Sequence, residues 1–217
     1  MRPYTMAGLS SQFGDTAAFD AFYSTLADEK KDEFLRVGSL YLFLVKQGNW
    51  HVDVPDTDPV IDYLTNSFKL VSLFSLVESL GAEEHQDFYE WLGEVADEIY
   101  PIDDKAALAR LHERYKATFG SIRRCTRFFE RLPPQRQVRL CESITFDGAP
   151  AKSVKHVAQF LYNLRSKFVH EGEFVLDIAS VPVFSRHKKS NTLTSLTMPE
   201  LLATFEEGVV AHFRHAA

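Results

Sequence analysis

The sequence predicts an all-α protein, a helical bundle with one small β-like hairpin ahead of its last helix. Three observations lead there. Apolar residues recur every three or four positions over most of the chain, the period of one helix face. Start and stop residues bracket those runs: Asp58 with Pro59, Ser153, and glycines at 48, 81 and 172. Only 174–184, paired with 192–197, has the β-branched and apolar content of a strand pair.

Taken in order, a first helical region spans 15–47, broken near 27–31 and stopped by Gly48. The stretch 49–57 (NWHVDVPDT) is a loop. Asp58 and Pro59 form an N-cap and first-turn pair that opens a long apolar helix, closed by Gly81. Shorter helices come next at 84–96, 104–119, 121–131 and 133–142, and 146–150 is a turn. Ser153 caps a helix that runs to Glu171 and stops at Gly172, and a last helix covers 199–215. The division is an N-terminal helical extension, 1–56, and a compact helical domain, 57–217.

Composition bounds the function. A chain of 217 residues suits one domain, or a core with an extension. Its 18 Phe, 8 Tyr and 2 Trp supply surface to bury and exclude a mainly disordered chain. The longest uncharged run of concern, Val37–Val45, has nine residues, against the roughly 20 needed to cross a bilayer. No membrane association is therefore expected, and the first residues lack the apolar stretch of a signal peptide. Two cysteines, Cys125 and Cys141, make neither a disulfide framework nor a CxxC pair, so a reduced, cytoplasmic protein is the default. No Gly-rich phosphate loop and no metal-ligand spacing occurs, so no cofactor and no metal is expected.

Charge is unevenly placed. The net charge is −6, but Glu78–Asp104 holds ten acidic residues and no Lys or Arg, whereas Lys105–Arg139 holds ten basic residues against Glu113 and Glu130. Either adjacent helices attract one another and carry solvated faces, or the basic segment is a footprint for phosphate groups. Eight of its ten basic residues are Arg, the side chain that grips phosphate through two donors. Arg123, Arg124 and Arg127 are its candidate RNA contacts.

The helix from Ser153 to Glu171 carries the chemistry. Val154, Val157, Leu161, Leu164 and Phe168 recur at spacings of 3, 4, 3 and 4, a core stripe. At about 100° per residue, Arg165 flanks the stripe and His170 lies nearly opposite it. Tyr162, Ser166 and Val169 fall between them. A merely solvated face would hold more Glu and Lys, and this mixed face suits a subunit contact or a site.

The string LYNLRSKFVHEGE, with Arg-x4-His at Arg165 and His170, then Gly172, a short β-like segment and a final helix, resembles the HEPN (higher eukaryote and prokaryote nucleotide-binding) superfamily. Glu78 sits in the long earlier helix where related proteins often place an acidic residue. The resemblance covers 57–217 in architecture and about 13 residues in tight motif. It implies an all-α domain of HEPN type, in many members a metal-independent endoribonuclease of toxin–antitoxin, phage-defence or CRISPR systems. It also implies a homodimer in which two motifs converge on one RNA phosphate, and a possible cognate antitoxin or regulatory protein. The chain departs from the family at Ser166, where Asn often follows the Arg. Serine still donates a hydrogen bond but is shorter and lacks the amide.

RNA cleavage through attack of a ribose 2′-OH needs a proton acceptor, a donor for the leaving 5′-oxygen, and positive charge at the phosphoryl oxygens. Histidine, with a reference pKa of about 6.5, serves as base or acid. Arginine spans two phosphate oxygens. The expected roles are Arg165 holding phosphate, His170 moving the proton, Ser166 orienting a partner, Glu78 fixing the Arg165 rotamer and Tyr162 lining the contact face. The alternative is an inactive protein of the same fold, an RNA-binding or regulatory scaffold. Structural readings stand beside these: a buried Glu78–Arg165 ion pair, His170 favoured by the helix dipole, Tyr162 as packing, and both cysteines as inert thiols. His212 with His215, the 83–85 acidic-histidine cluster and the 187–191 basic loop read as solvated. His156 and Asn163 lie on the exposed side of the motif helix and are candidate cleft residues.

Overall fold

The structure, a computed structural model, describes residues 1–50, 58–80, 86–95, 102, 104–179, 181–187 and 190–215. The protein is mainly α, with a small antiparallel four-stranded sheet. In chain order the elements are α1 (Arg2–Gly8), α2 (Thr16–Thr25), α3 (Asp28–Tyr41), a π-helical turn (Leu42–Lys46), α4 (Asp58–Ser79), α5 (Phe88–Glu94), α6 (Lys105–Phe119), α7 (Ser121–Glu130) and α8 (Pro134–Glu142). After these come β1 (Ile144–Phe146), β2 (Ala149–Pro150), α9 (Val154–Glu171), β3 (Val183–His187), β4 (Ser190–Thr194) and α10 (Met198–His215).

Local chemistry places most boundaries. The Asp15 carboxylate accepts from Ala18 N and starts α2. Asp87 and Glu90 form a capping box that starts α5. Ser153 accepts from His156 N at the head of α9, and Gly172 ends that helix in the left-handed region, φ 71°, with its N–H on the Phe168 carbonyl. Thr197 and Glu200 bond reciprocally at the head of α10. The expected stop at Gly81, the 83–85 cluster and most of the 49–57 loop lie outside the described residues. The 187–191 loop is described only in part.

The β segment differs from expectation. Residues 174–179 form no strand, because α4 side chains satisfy their backbone: Val175 N–H donates to the Ser67 hydroxyl at 2.9 Å, and Asn66 donates to the Ile178 carbonyl at 3.2 Å. The strands are β3 and β4 instead, and β1 joins them, giving the order β2-β1-β4-β3. The expected 146–150 turn is the hairpin between β1 and β2, with Asp147 and Gly148 at φ 49° and 84°. Two successive left-handed residues match the right-handed twist of the strands they join. One sheet face buries Ile144, Thr192 and Thr194, and the opposite face carries the exposed cross-strand pair Phe184–Leu193.

The core is continuous. It is built from α4 (Leu70, Leu73, Phe74, Val77), α7 (Cys125, Phe128, Phe129), α9 (Val157, Leu161, Leu164) and α10 (Leu201, Phe205, Val209, Phe213). The stripe read on α9 is buried as expected, with Phe168 at its edge against Phe68. Leu9, Phe19, Phe34, Val37 and Tyr41 from the first fifty residues belong to the same cluster. Phe34 meets Phe213 at 5.2 Å and Tyr41 meets Phe205 at 4.8 Å between ring centroids. The boundary drawn between 56 and 57 falls next to residues outside the described set, and the helices on either side of it share this one core. Glu206, 3% exposed, fixes the junction. It accepts from Tyr41 Oη at 2.8 Å, Ser11 N at 3.2 Å and the Ser11 hydroxyl, and pairs with Lys46 at 3.0 Å. Burying a carboxylate is costly unless donors of this kind surround it.

Candidate functional site

Three helices meet at the candidate site. α4 ends there and brings Glu78. α7 brings Arg124 and Cys125 from its inward side. α9 brings Tyr162 and Arg165 from the flank of its core stripe. Arg165 Nη2 stands 3.8 Å from Glu78 Oε2, with the two side chains 16% and 21% exposed. That separation makes an ion pair but exceeds hydrogen-bonding distance. The Arg165 guanidinium also lies 5.5 Å from the centre of the Tyr162 ring, and that ring packs edge-on against Phe74. Arg165 Nε, Arg124 Nε and Glu78 Oε1 are buried with no hydrogen-bond partner among the described residues.

The surroundings act on two titratable groups. Burial pushes the Cys125 thiol up to about 12, the Glu78 carboxylate adding to the rise and Arg165 and Arg124 opposing it. A thiol so placed stays protonated and is no nucleophile. Burial, then Glu78, also raises the Tyr162 phenol, against the lowering effects of Arg165 and of a hydrogen bond with Ser121. Burial likewise raises Cys141, with Glu142 adding.

The sequence-derived residues are only partly gathered. Glu78, Tyr162 and Arg165 come together. His170 is exposed in the last turn of α9, and among the described residues no hydrogen bond, ion pair or ring contact reaches it. It lies five positions beyond Arg165, about 140° around the axis and 7.5 Å along it. Ser166 is half-buried and makes no hydrogen bond among the described residues; Val169 beside it is 48% exposed. Along the face from Arg165 to His170, Val169 and His170 are exposed, whereas Tyr162, Arg165 and Ser166 are half-buried.

The arginines of α7 divide in two. Arg123 and Arg127 are exposed and unpaired among the described residues. Arg124 points inward, and its Nη1 donates to the Glu78 carbonyl at 2.7 Å. Elsewhere in the basic segment, Arg110 faces Asp104 at 3.9 Å, Lys116 pairs with Glu113 at 3.3 Å and Arg136 with Glu207 at 2.6 Å, so part of that charge is used within the fold. His156 stacks on Phe146 with ring centroids 4.2 Å apart, Asn163 is exposed, and His212 bonds Arg131. Among the described residues no three His, Cys, Asp or Glu side chains gather where they could hold a metal ion. No helix among them is long and apolar enough to cross a membrane.

Sequence reasoning missed the inward role of Arg124 and the place of Cys125. A signal existed. Cys125, Phe128 and Phe129 define the buried stripe of α7, and position 124, one turn before Phe128, flanks it while 123 and 127 do not. No protein-family model, no curated protein and no solved structure matches this chain.

Proposed function

We propose that this protein is a metal-independent endoribonuclease of HEPN type, acting as a cytoplasmic homodimer on RNA. One observation carries the reading. Arg165 is held at the edge of the core by a carboxylate too distant to hydrogen-bond it, on the helix whose last turn presents an unengaged His170. A guanidinium bonded bidentately to Glu78 would have two of its five N–H donors occupied. This one keeps donors, and Tyr162 and Glu78 restrict where they point.

In the proposed reaction the 2′-oxygen attacks phosphorus, the P–O5′ bond breaks, and the products are a 2′,3′-cyclic phosphate and a 5′-hydroxyl. His170 of one protomer takes the 2′-OH proton, and the His170 of a second copy gives one to the leaving oxygen. Arg165 from each copy neutralises the phosphoryl oxygens. A single copy of the motif offers one imidazole, so the proposed two-proton traffic draws on the pair. The Tyr162, Ser166 and Val169 face is the proposed contact, with Val169 its exposed apolar member. Arg123 and Arg127 extend the positive surface for the RNA backbone. A toxin or phage-defence role, with an antitoxin or regulatory partner, belongs to the same reading.

A second reading, an RNA-binding or regulatory dimer without catalysis, draws on Ser166, whose hydroxyl positions nothing among the described residues. Incubation with total RNA in EDTA separates the two. The nuclease reading expects cleavage by the wild type, abolished in His170→Ala with the dimer intact by light scattering. Binding that weakens steeply with salt, without cleavage, selects the scaffold. A monomer at micromolar concentration contradicts both.

A further inference from the structure

We propose that Arg124 is a positioning residue for Arg165, acting through Glu78, and not an RNA contact. The inference deepens the nuclease reading, and its kinetic arm rests on that reading. Glu78 is the next-to-last residue of α4, in the final turn where the carbonyls of a helix lack intrahelical partners. Arg124 supplies one: its Nη1 donates to Glu78 O at 2.7 Å, a charged donor at the negative end of a helix dipole. The side chain of the same Glu78 faces Arg165. Two guanidinium groups thus engage one residue, Arg124 on its backbone and Arg165 on its carboxylate.

The second contact is loose. At 3.8 Å with no hydrogen bond, the carboxylate draws the guanidinium toward itself without fixing its angle. Where Arg165 points then depends on where the Glu78 backbone stands, and Arg124 is what holds that backbone from the α7 side. Arg124 acts a second way. Its charge lies in the same partly buried cluster, since both guanidinium groups and the Glu78 carboxylate act on the Cys125 thiol. Like charges repel more strongly away from bulk water. Arg124 therefore opposes movement of Arg165 further into the cluster. Its neighbours Arg123 and Arg127 reach solvent instead.

The arginine Nε–H resonances of the full chain test this. In Arg124→Ala the Arg165 signal shifts, and in Arg124→Lys, which keeps the charge and an N–H donor group, it returns most of the way. Two controls leave it in place. Arg36→Ala removes the α3 contact to Ser79 Oγ at the same helix end, and Arg123→Ala removes an exposed charge. A loss of stability alone lowers the signal without moving it. An Arg165 resonance unmoved in Arg124→Ala, or moved as far by Arg36→Ala, overturns the proposal. Should Arg124→Ala not fold, Arg124→Met keeps the stem without the donor and is read the same way. In RNA cleavage, Arg124→Ala lowers kcat about tenfold, a modest cost for a misdirected group, with KM unchanged, whereas Arg123→Ala raises KM alone. A rise in KM alone for Arg124→Ala makes it an RNA contact and overturns the proposal. A wild-type chain that cleaves nothing sinks the nuclease reading, and the resonance then decides the role of Arg124 by itself.

Discussion

Cys125 is the most heavily perturbed group at the candidate site, and its perturbation has a measurable consequence. Its thiol rises from 9.0 to about 12, first through burial. The unfolded chain therefore loses this proton before the folded one does. The stabilisation is fully present below pH 9 and is lost as pH rises from 9 toward 12. Tyr41, raised by burial and then by Glu206, pushes in the same direction. Urea unfolding of the wild type and Cys125→Ala at pH 8 and pH 11 isolates the thiol: the wild type loses more stability between the two than the variant does, and parallel losses contradict the assignment. At this scale the sequence was legible where one helix settled the question. The flank position of Arg165 came from the α9 period, which set Tyr162 on the mixed face beside it; that its ring packs on Phe74 did not follow from the period. Arg124 was not legible in the same way, because its role depends on where α4 ends relative to α7, a tertiary fact that no single helix encodes.

At the scale of elements, helices were readable wherever a cap and a periodic apolar face coincided. The α9 termini at Ser153 and Gly172 are the clearest case. α1 escaped notice because it is seven residues long and gains its place from tertiary contact. The Thr5 hydroxyl donates to the Leu35 carbonyl and meets Ser39 Oγ at 3.2 Å. A Cβ on Gly8 would stand 2.6 Å from the Gly38 carbonyl oxygen, and one on Gly38 would collide with the Thr5 side chain. Gly38→Ala is accordingly expected to destabilise the protein by about 1–3 kcal/mol, the usual range for overpacking, read as a lower denaturant midpoint with unchanged slope. No change in midpoint would mean that α1 and α3 can part without cost. The strands were misplaced for a related reason. Residues 174–179 have strand composition, but Ser67 and Asn66 already bond their backbone.

At the scale of the molecule, the first fifty residues are joined to α10 by aromatic contacts and by the donors around Glu206. Their absence would bare Phe205 and Phe213 and leave the buried Glu206 carboxylate without Tyr41, Ser11 and Lys46. A fragment beginning at 57 is expected to aggregate or to bind a hydrophobic dye, without a cooperative thermal transition. A sharp transition in that fragment would show that the later helices sustain themselves. The sequence suggested an appendage because the loop composition of 49–57 sets the first helices apart from α4, and composition does not reveal what packs across a gap.

The Glu206 junction also bears on how the chain is made. Tyr41 and Glu206 stand 165 positions apart in sequence and bond directly. Phe34 and Tyr41 emerge from the ribosome well before α10 exists to cover them, so the earliest helices wait uncovered for the latest one. Distant pairings of this kind slow folding and leave apolar surface open to wrong partners in the interval. Chaperone demand during synthesis should therefore fall mainly on the N-terminal helices, and end only when α10 has docked.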